Sequence, residues 1–207
     1  MDVTNQTSEF RRTLESEASG YGVKLTPKTQ DGLTGYYRLL CSWNSRLHLV
    51  APTTPEQFAR RHILESLLLL EYLTKEARVA DIGSGGGLPI IPCLIAQPNI
   101  RATMIESSKK KAVFLREALR QIGHANSTVI AERFESVVVP DIDFVTCRAV
   151  ERFEKILPQM IEWTPSNATL LLFGGPGLEK VIATMGLSFD AKLIPGSERR
   201  LLFRVKR

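Results

Sequence analysis

Three observations predict an α/β protein with a mostly parallel sheet. From Arg78 onward, short apolar strands alternate with helical stretches, the pattern that crossover helices between parallel strands produce. The first strand, Arg78–Ile82, runs into Gly83-Ser84-Gly85-Gly86-Gly87-Leu88-Pro89, a turn with four glycines in five positions. The last two strands, Ala191–Ile194 and Arg200–Val205, are joined through Pro195-Gly196-Ser197. That connection is too short for a crossover helix, so the final pair is antiparallel. Residues 1–75 read as an N-terminal helical extension and 76–207 as the domain that carries the sheet.

Taken in order, the first twenty residues are polar, with a weak helical pattern through Phe10 and Leu14 that Gly20-Tyr21-Gly22 breaks. Thr26-Pro27 then starts a helix, a capping residue followed by proline at the first helical position. Its apolar stripe is Leu33, Tyr36 or Tyr37, Leu40, Trp43 and Leu47. Thr54-Pro55-Glu56-Gln57 reads as a capping box, and Phe58, Ile63, Leu67 and Leu70 continue that helix. After the glycine turn come a helix over Leu88–Ala96, strand Arg101–Ile105 and a helix from Lys109 to Ile122, stopped by Gly123. Strands at Thr128–Ala131 and Ile142–Thr146 follow, then a helix at Phe153–Trp163 and a strand at Ala168–Phe173. A last helix at Leu178–Met185 precedes the hairpin.

At 207 residues the chain buries a full core. No apolar run reaches the roughly 18 residues of a membrane span, and Met1-Asp2-Val3-Thr4-Asn5 lacks a signal peptide's basic and apolar regions. Cys41, Cys93 and Cys147 have no C-x-x-C spacing and sit in apolar surroundings, which predicts reduced thiols in the cytosol and no zinc site. His48, His62 and His124 form no metal-binding spacing either, so no metal is expected. His62 shares its helix with Glu65 and Ser66 at the spacing that brings side chains together. The net charge of +5 gathers at Arg60-Arg61, Lys109-Lys110-Lys111, Arg199-Arg200 and the C-terminus. Such a surface suits a polyanion, and it equally fits an ordinary solvated face.

The glycine turn carries the chemistry. Glycines allow φ > 0 and let a ligand lie against the main chain, while the next helix points its first N–H groups at whatever is bound. The dinucleotide fingerprint needs a third small residue where this chain has Leu88, and no P-loop Lys-Ser/Thr follows. Glu106, an acid at the end of the second strand, lies where ribose hydroxyls are gripped. A ribose-gripping acid without a pyrophosphate turn points to S-adenosylmethionine (SAM). A mostly parallel sheet ending in an antiparallel strand is also the architecture of class I SAM-dependent methyltransferases. Candidate cofactor residues are therefore Asp81, Gly83, Ser84, Gly85, Gly87, Leu88 and Glu106. Asp81 either anchors the loop or reaches the methionine ammonium; Glu106 either binds ribose or caps the next helix. Lys109 to Lys111 oppose the dipole of their helix, either for phosphate contact or with stems lying over apolar surface. Thr146-Cys147-Arg148 ends the fourth strand at the rim. Cys147 invites comparison with the thiolate of cytosine-C5 methyltransferases, although a buried strand cysteine explains it as well. Arg148 is the candidate for contact with cofactor or RNA and the one catalytic candidate.

Over residues 33–207 the chain resembles the GidB/RsmG family, the bacterial small-subunit ribosomal RNA guanine-N7 methyltransferases. The motifs are Trp43-Asn44-Ser45-Arg46-Leu47-His48-Leu49, Arg61-His62-Ile63-Leu64-Glu65-Ser66-Leu67, Asp81 to Pro92, Lys110 to Leu115, Asp143 to Ala149 and Arg199 to Leu202. His48 replaces an Asn, Cys147 a Ser, and Phe173-Gly174-Gly175 stands where the family commonly has Lys-Gly. The resemblance implies SAM-dependent methylation of 16S ribosomal RNA at guanine N7, with the RNA or the small subunit as partner, in a cytoplasmic monomer. It adds Arg133, Phe134 and Glu135 to the residues around SAM, and puts Arg133 and Arg148 on basic positions near cofactor and RNA. Two other classes remain open: a SAM-binding ribosome-assembly factor without turnover, and a methyltransferase for cytosine C5 or a small molecule.

Overall fold

A computed structural model describes residues 3–148 and 153–206. Helices α1 (Val3–Glu17), α2 (Pro27–Leu47), α3 (Pro55–Phe58) and α4 (Glu65–Leu67) precede the sheet. Six residues of π-helix, Ala59–Leu64, join α3 to α4, and a 3₁₀ turn at Leu68–Glu71 ends the run. Then follow β1 (Arg78–Ile82), α5 (Ile90–Ala96), β2 (Arg101–Ile105), α6 (Lys109–Gln121), β3 (Thr128–Ile130) and β4 (Phe144–Arg148). The chain closes with α7 (Phe153–Trp163), β5 (Thr169–Gly174), α8 (Pro176–Thr184), β6 (Ser188–Leu193) and β7 (Leu201–Lys206).

The described strands form one sheet in the order β3-β2-β1-β4-β5-β7-β6. The first five are parallel, while β7 runs antiparallel to both β5 and β6. The expected architecture and its antiparallel end are both present. Strands β1 and β2 have the bounds the sequence predicts. Helix α5 starts at Ile90 rather than Leu88, because the residue before Pro89 is disfavoured in a helix. Helix α8 starts earlier than expected, since Pro176 occupies the first helical position where proline is tolerated. The first twenty residues are more ordered than their polarity suggests. Phe10 and Leu14 are fully buried, and Phe10 stacks on Tyr37 with ring centroids 4.3 Å apart. Ala149 of the Asp143–Ala149 motif, Met1, Asp2 and Arg207 lie outside the described residues.

One face of the sheet and all the N-terminal helices share a single core that runs from Phe10 and Leu33 through Ile91 and Phe114 to Leu202. The other face packs on α7 and α8 around Val145, Leu157 and Phe203. Two caps act as predicted: Thr26 accepts from Thr29 N–H, and Thr54 accepts from Gln57 N–H at 3.2 Å. The box at Thr54 is only half made, because Gln57 Oε1 accepts from Thr53 Oγ1 at 3.1 Å. His48 explains its own departure from the family pattern. It ends α2 at φ 47°, in the left-handed region that Asn and His both tolerate better than most residues.

Candidate active site

Strand β1 delivers Ile82 to the rim beside Ile105 and Cys147. Gly83 and Ser84 both donate their N–H to Ile105 O, at 2.9 and 3.2 Å, and Gly87 N–H returns to Ser84 O. Gly83, Gly85 and Gly87 lie at φ 68°, 52° and 84°, conformations that glycine adopts without a Cβ clash. The glycines are not equivalent. A Cβ on Gly87 would lie 2.3 Å from Ile91 Cδ1, whereas a Cβ on Gly85 would meet only Gly83 O, at 3.7 Å. Gly87 lets the loop close on α5, and Gly85 keeps space open in front of it.

Glu106 follows β2, almost buried, and its two oxygens accept from Gly85 N–H and Ser108 N–H, each at 2.8 Å. The carboxylate thus stands beside the loop and also caps the turn into α6, so both readings of the sequence meet in one residue. A cleft of about 300 Å³ opens next to it, lined by Gly83, Ile105, Arg133, Phe134, Glu135 and Ile156 among others. Phe134 is set edge-on against Trp163 at 6.0 Å, and Trp163 Nε1 donates to Val137 O at 2.7 Å. Arg133 pairs with Glu135 in solvent at 2.9 Å, a contact worth little stability.

The cleft has the donor set that SAM requires: apolar side chains for the adenine, a carboxylate at a strand end and a glycine loop open at Gly85. Of the candidate residues, Gly83, Arg133, Phe134 and Glu135 line it, and Gly85 and Glu106 border it. Asp81, Ser84, Gly87 and Leu88 lie elsewhere: Ser84 donates from Oγ to Asp81 O at 2.9 Å, and Leu88 packs into the core.

Asp81 is fully buried beneath the loop. Its Oδ1 accepts from Thr146 Oγ1 at 2.6 Å, and Oδ2 has no partner among the described residues. Burial pushes the carboxyl up to about 6, against the pull of the Thr146 hydrogen bond. His62 is shifted the other way. Burial, with Arg148 nearby, pushes its imidazole down to about 3, and its Nδ1 lacks a partner among the described residues.

The two shifts oppose each other in the pH dependence of stability. Between its unfolded value and about 6, Asp81 holds a proton only when folded, so its contribution is lost as pH rises through that range. His62 holds a proton only when unfolded between about 3 and its unfolded value, so its contribution is lost as pH falls. Relative to wild type, Asp81→Asn should therefore steepen the rise of stability with pH between about 4 and 6. The expected change in slope is up to about 1.4 kcal/mol per pH unit. His62→Phe should change the slope by a similar amount in the opposite sense. Urea unfolding at several pH values reads both, and an Asp81→Asn slope equal to wild type rules out the raised carboxyl.

Arg148 does not line this cleft. Its Nη2 donates to Glu65 Oε2 at 2.9 Å and to Arg61 O, and its guanidinium lies 5.1 Å from the Phe173 ring centroid. Glu65, itself buried, also accepts from Arg200 Nη1. Glu65 and its arginines therefore stitch the N-terminal helices to β4 and to the start of β7. The His62 ring instead tilts against Phe58 at 4.9 Å. Lys109 and Lys110 stand exposed in the first turn of α6, whose cap Ser108 accepts from Lys111 N–H. Cys147 is fully buried, and burial holds its thiol well above the usual range.

Three contributions to the site escape a reading of the sequence. Tyr36, which the periodicity treats as core, donates its hydroxyl to Gly86 O at 2.5 Å from 50 residues away. Leu49 packs on the same glycine, where a Cβ would meet it at 3.4 Å. Asn44 pins that segment by exchanging two hydrogen bonds with the Val50 backbone, at 2.9 and 3.1 Å. The Trp43–Leu49 motif thus braces the glycine loop from behind. The only signal for this was the motif itself.

Residues 29–186 match the family model described as GidB, rRNA small subunit methyltransferase G. The chain is 37% identical over 169 residues to a ribosomal RNA small subunit methyltransferase G of Sorangium cellulosum, covering 78% of this chain and 71% of that protein. It is 34% identical over 167 residues to the protein of the same name from Neisseria gonorrhoeae, covering 81% and 77%. Among solved structures, a SAM-dependent methyltransferase from Aquifex aeolicus superposes with a TM-score of 0.58 at 14% identity, covering 73% and 93%. That likeness shows the fold. Family model and relatives together show that the chain belongs to the GidB family of ribosomal RNA small subunit methyltransferases.

Proposed function

We propose that this chain transfers the methyl group of SAM to guanine N7 of 16S ribosomal RNA, as a cytoplasmic monomer acting on the RNA or on the small subunit. The observation that carries the reading is the Gly85–Glu106 contact at the mouth of the Phe134 cleft, in a chain of this family. Glu106 would accept from ribose hydroxyls, Ile105 and Phe134 would flank the adenine, and the loop amides would hold the methionine end, with the buried Asp81 supporting the loop from beneath. SAM supplies an electrophilic methyl on a sulfonium. Guanine N7 has a lone pair in the neutral base, so no side chain must remove a proton before attack. The protein's part is to bring the two reactants into line, an effect that contributes about 7–11 kcal/mol in well-oriented systems. No group of three or more potential metal ligands is clustered among the described residues.

Transfer of labelled methyl from SAM to 16S RNA, followed by nucleoside analysis, tests the reading. A 7-methylguanosine product supports it; 5-methylcytidine, or SAM binding without transfer, overturns it. Glu106→Ala should weaken SAM binding at least about tenfold, since it removes a charge-assisted acceptor and frees the Gly85 amide. Calorimetry reads this directly.

Cys147 bears on the cytosine-C5 alternative. Its thiol is buried and held neutral, unlike the exposed, electropositive setting a nucleophilic thiolate needs. Cys147→Ser should keep most activity and lose about 1–3 kcal/mol of stability for burying a hydroxyl. A folded but inactive Cys147→Ser, with a covalent RNA adduct trapped on wild type, would contradict the N7 chemistry.

A further inference from the structure

The C-terminal rim of the sheet carries a second cleft. Gly174 at the end of β5 pairs with Leu201 at the start of β7. The turn leading into β7 therefore stands on the same rim as the glycine loop. Facing it are Gln57, Arg60 and Arg61 of the N-terminal helices and Tyr21 of the 3₁₀ turn Ala18–Tyr21. The cleft between them has a volume of about 580 Å³, nearly twice the 300 Å³ of the first, and Gly196 and Arg200 form its far wall.

Its charge is one-sided. Arg60, Arg61 and Arg200 line it against one carboxylate, Glu17, a surplus of two positive charges. Adding the buried Glu65 and Arg148 behind it leaves that surplus unchanged. Arg60 is committed to Glu17 through hydrogen bonds of 2.6 to 2.9 Å. Arg200 is held by Glu65 through Nη1 and by Ser197 Oγ through Nε at 3.1 Å. Arg61 differs from both: its side chain is exposed and has no carboxylate partner among the described residues. Its backbone carbonyl is held by Arg148, and the exposed residue lines the cleft.

Placement relative to the first cleft matters as much as charge. The cofactor cleft occupies the β3-β2-β1 half of the rim, and the arginine cleft the β5-β7 half, with β4 between them. Strands β1 and β7 are three spacings apart, about 14 Å at the usual 4.8 Å per spacing. That distance is the component along the sheet alone: Ile82, Ile105 and Phe134 of the first cleft belong to the core on the α7 side, and Tyr21 of the second packs on the core shared with the N-terminal helices. A strand gripped by its backbone in the second cleft must therefore pass over the rim to present an unstacked base to the first, as enzymes that modify bases require. Lys109 and Lys110 offer less, being exposed point charges on a convex helix turn, whereas an arginine fork matches a phosphate at two points.

We infer that the cleft lined by Arg61, Arg200 and Gln57 seats the phosphodiester backbone of the substrate RNA, with Arg61 as the principal phosphate contact. The inference rests on the proposed function for the identity of the polyanion. Glu65 acts on this cleft only as a positioning residue, holding Arg200 from behind.

The test is a filter-binding salt titration of 16S RNA with wild type, Arg61→Gln, Gln57→Glu and a Lys109→Gln/Lys110→Gln double variant, paired with SAM calorimetry. Arg61→Gln should raise the dissociation constant for RNA about tenfold or more and reduce the salt slope by about 0.7 for each single-strand phosphate lost. The SAM dissociation constant should not change. Gln57→Glu guards against misfolding: the residue is exposed, and Glu at this position can complete the capping box at Thr54. It should weaken RNA binding in the same direction. Wild-type slope and RNA affinity in both cleft variants overturn the inference, most clearly if the lysine variant alone lowers the slope. RNA binding that falls in the cleft variants, from a wild type that transfers no methyl, would support the cleft and defeat the proposed activity.

Discussion

Gly85→Leu is expected to abolish detectable SAM binding, a loss of at least a hundredfold, in a protein that still folds. The backbone at Gly85 sits at φ 52°, where a side chain costs about 1–2 kcal/mol. The Cβ itself has room, with its nearest neighbour at 3.7 Å, so the leucine side chain grows into the space before the loop. Gly87→Leu is expected to differ in kind. Its Cβ would overlap Ile91 Cδ1 at 2.3 Å, so that variant should lose several kcal/mol and unfold at much lower denaturant. Calorimetry with SAM and urea unfolding on both variants separate a binding lesion from a folding lesion. Wild-type SAM affinity in Gly85→Leu would remove the cofactor from this loop.

Glu65→Leu is expected to cost about 3 kcal/mol, the lower end of the range for stripping one partner from a buried ion pair. The carboxylate is 1% exposed and serves two guanidiniums, at 13% and 31% exposure, which the variant leaves facing each other without an anion. Partial solvation of Arg200 keeps the loss from being larger. Adding Arg148→Met to Glu65→Leu should recover much of the loss, because an apolar pair of similar volume has no charge to desolvate. Urea unfolding of the single and double variants measures this, and a single variant as stable as wild type shows that the triad is solvated. The same geometry changes what Arg148→Ala reports. From the sequence alone, a drop in turnover would mean a lost base contact. With Arg148 bonded to Glu65 and Arg61 O, part of any drop comes from a loosened rim. Stability must be measured beside kcat.

The local features were legible because local chemistry decides them. Strands β1 and β2, the helix-starting Thr26-Pro27 and the glycine turn all follow from short-range propensity and backbone sterics. The same holds for the closing hairpin, since a short connection leaves no antiparallel alternative. Errors fall at element ends, where proline placement or pairing with a partner strand sets the boundary. Strand β6 begins three residues before its expected start because β7 continues to pair with it as far as Ser188–Lys206.

What one residue does for another far along the chain was not legible. Tyr36 and Leu40 belong to the same apolar stripe, yet only Tyr36 holds the glycine loop by its hydroxyl, and no periodicity distinguishes them. Glu65 reads as the acid of a helical motif, and nothing near it in sequence announces Arg148 or Arg200. Arg148 was placed at the right strand end, but the direction of its side chain depends on which face of the sheet the N-terminal helices cover. The sequence by itself determined the class of fold, the order of its elements and the glycine loop that borders the Phe134 cleft, because each rests on contacts within a few residues. Tertiary structure decided which buried charges meet, how far their protons shift and where the second cleft opens, because burial and pairing exist only once distant segments share one core.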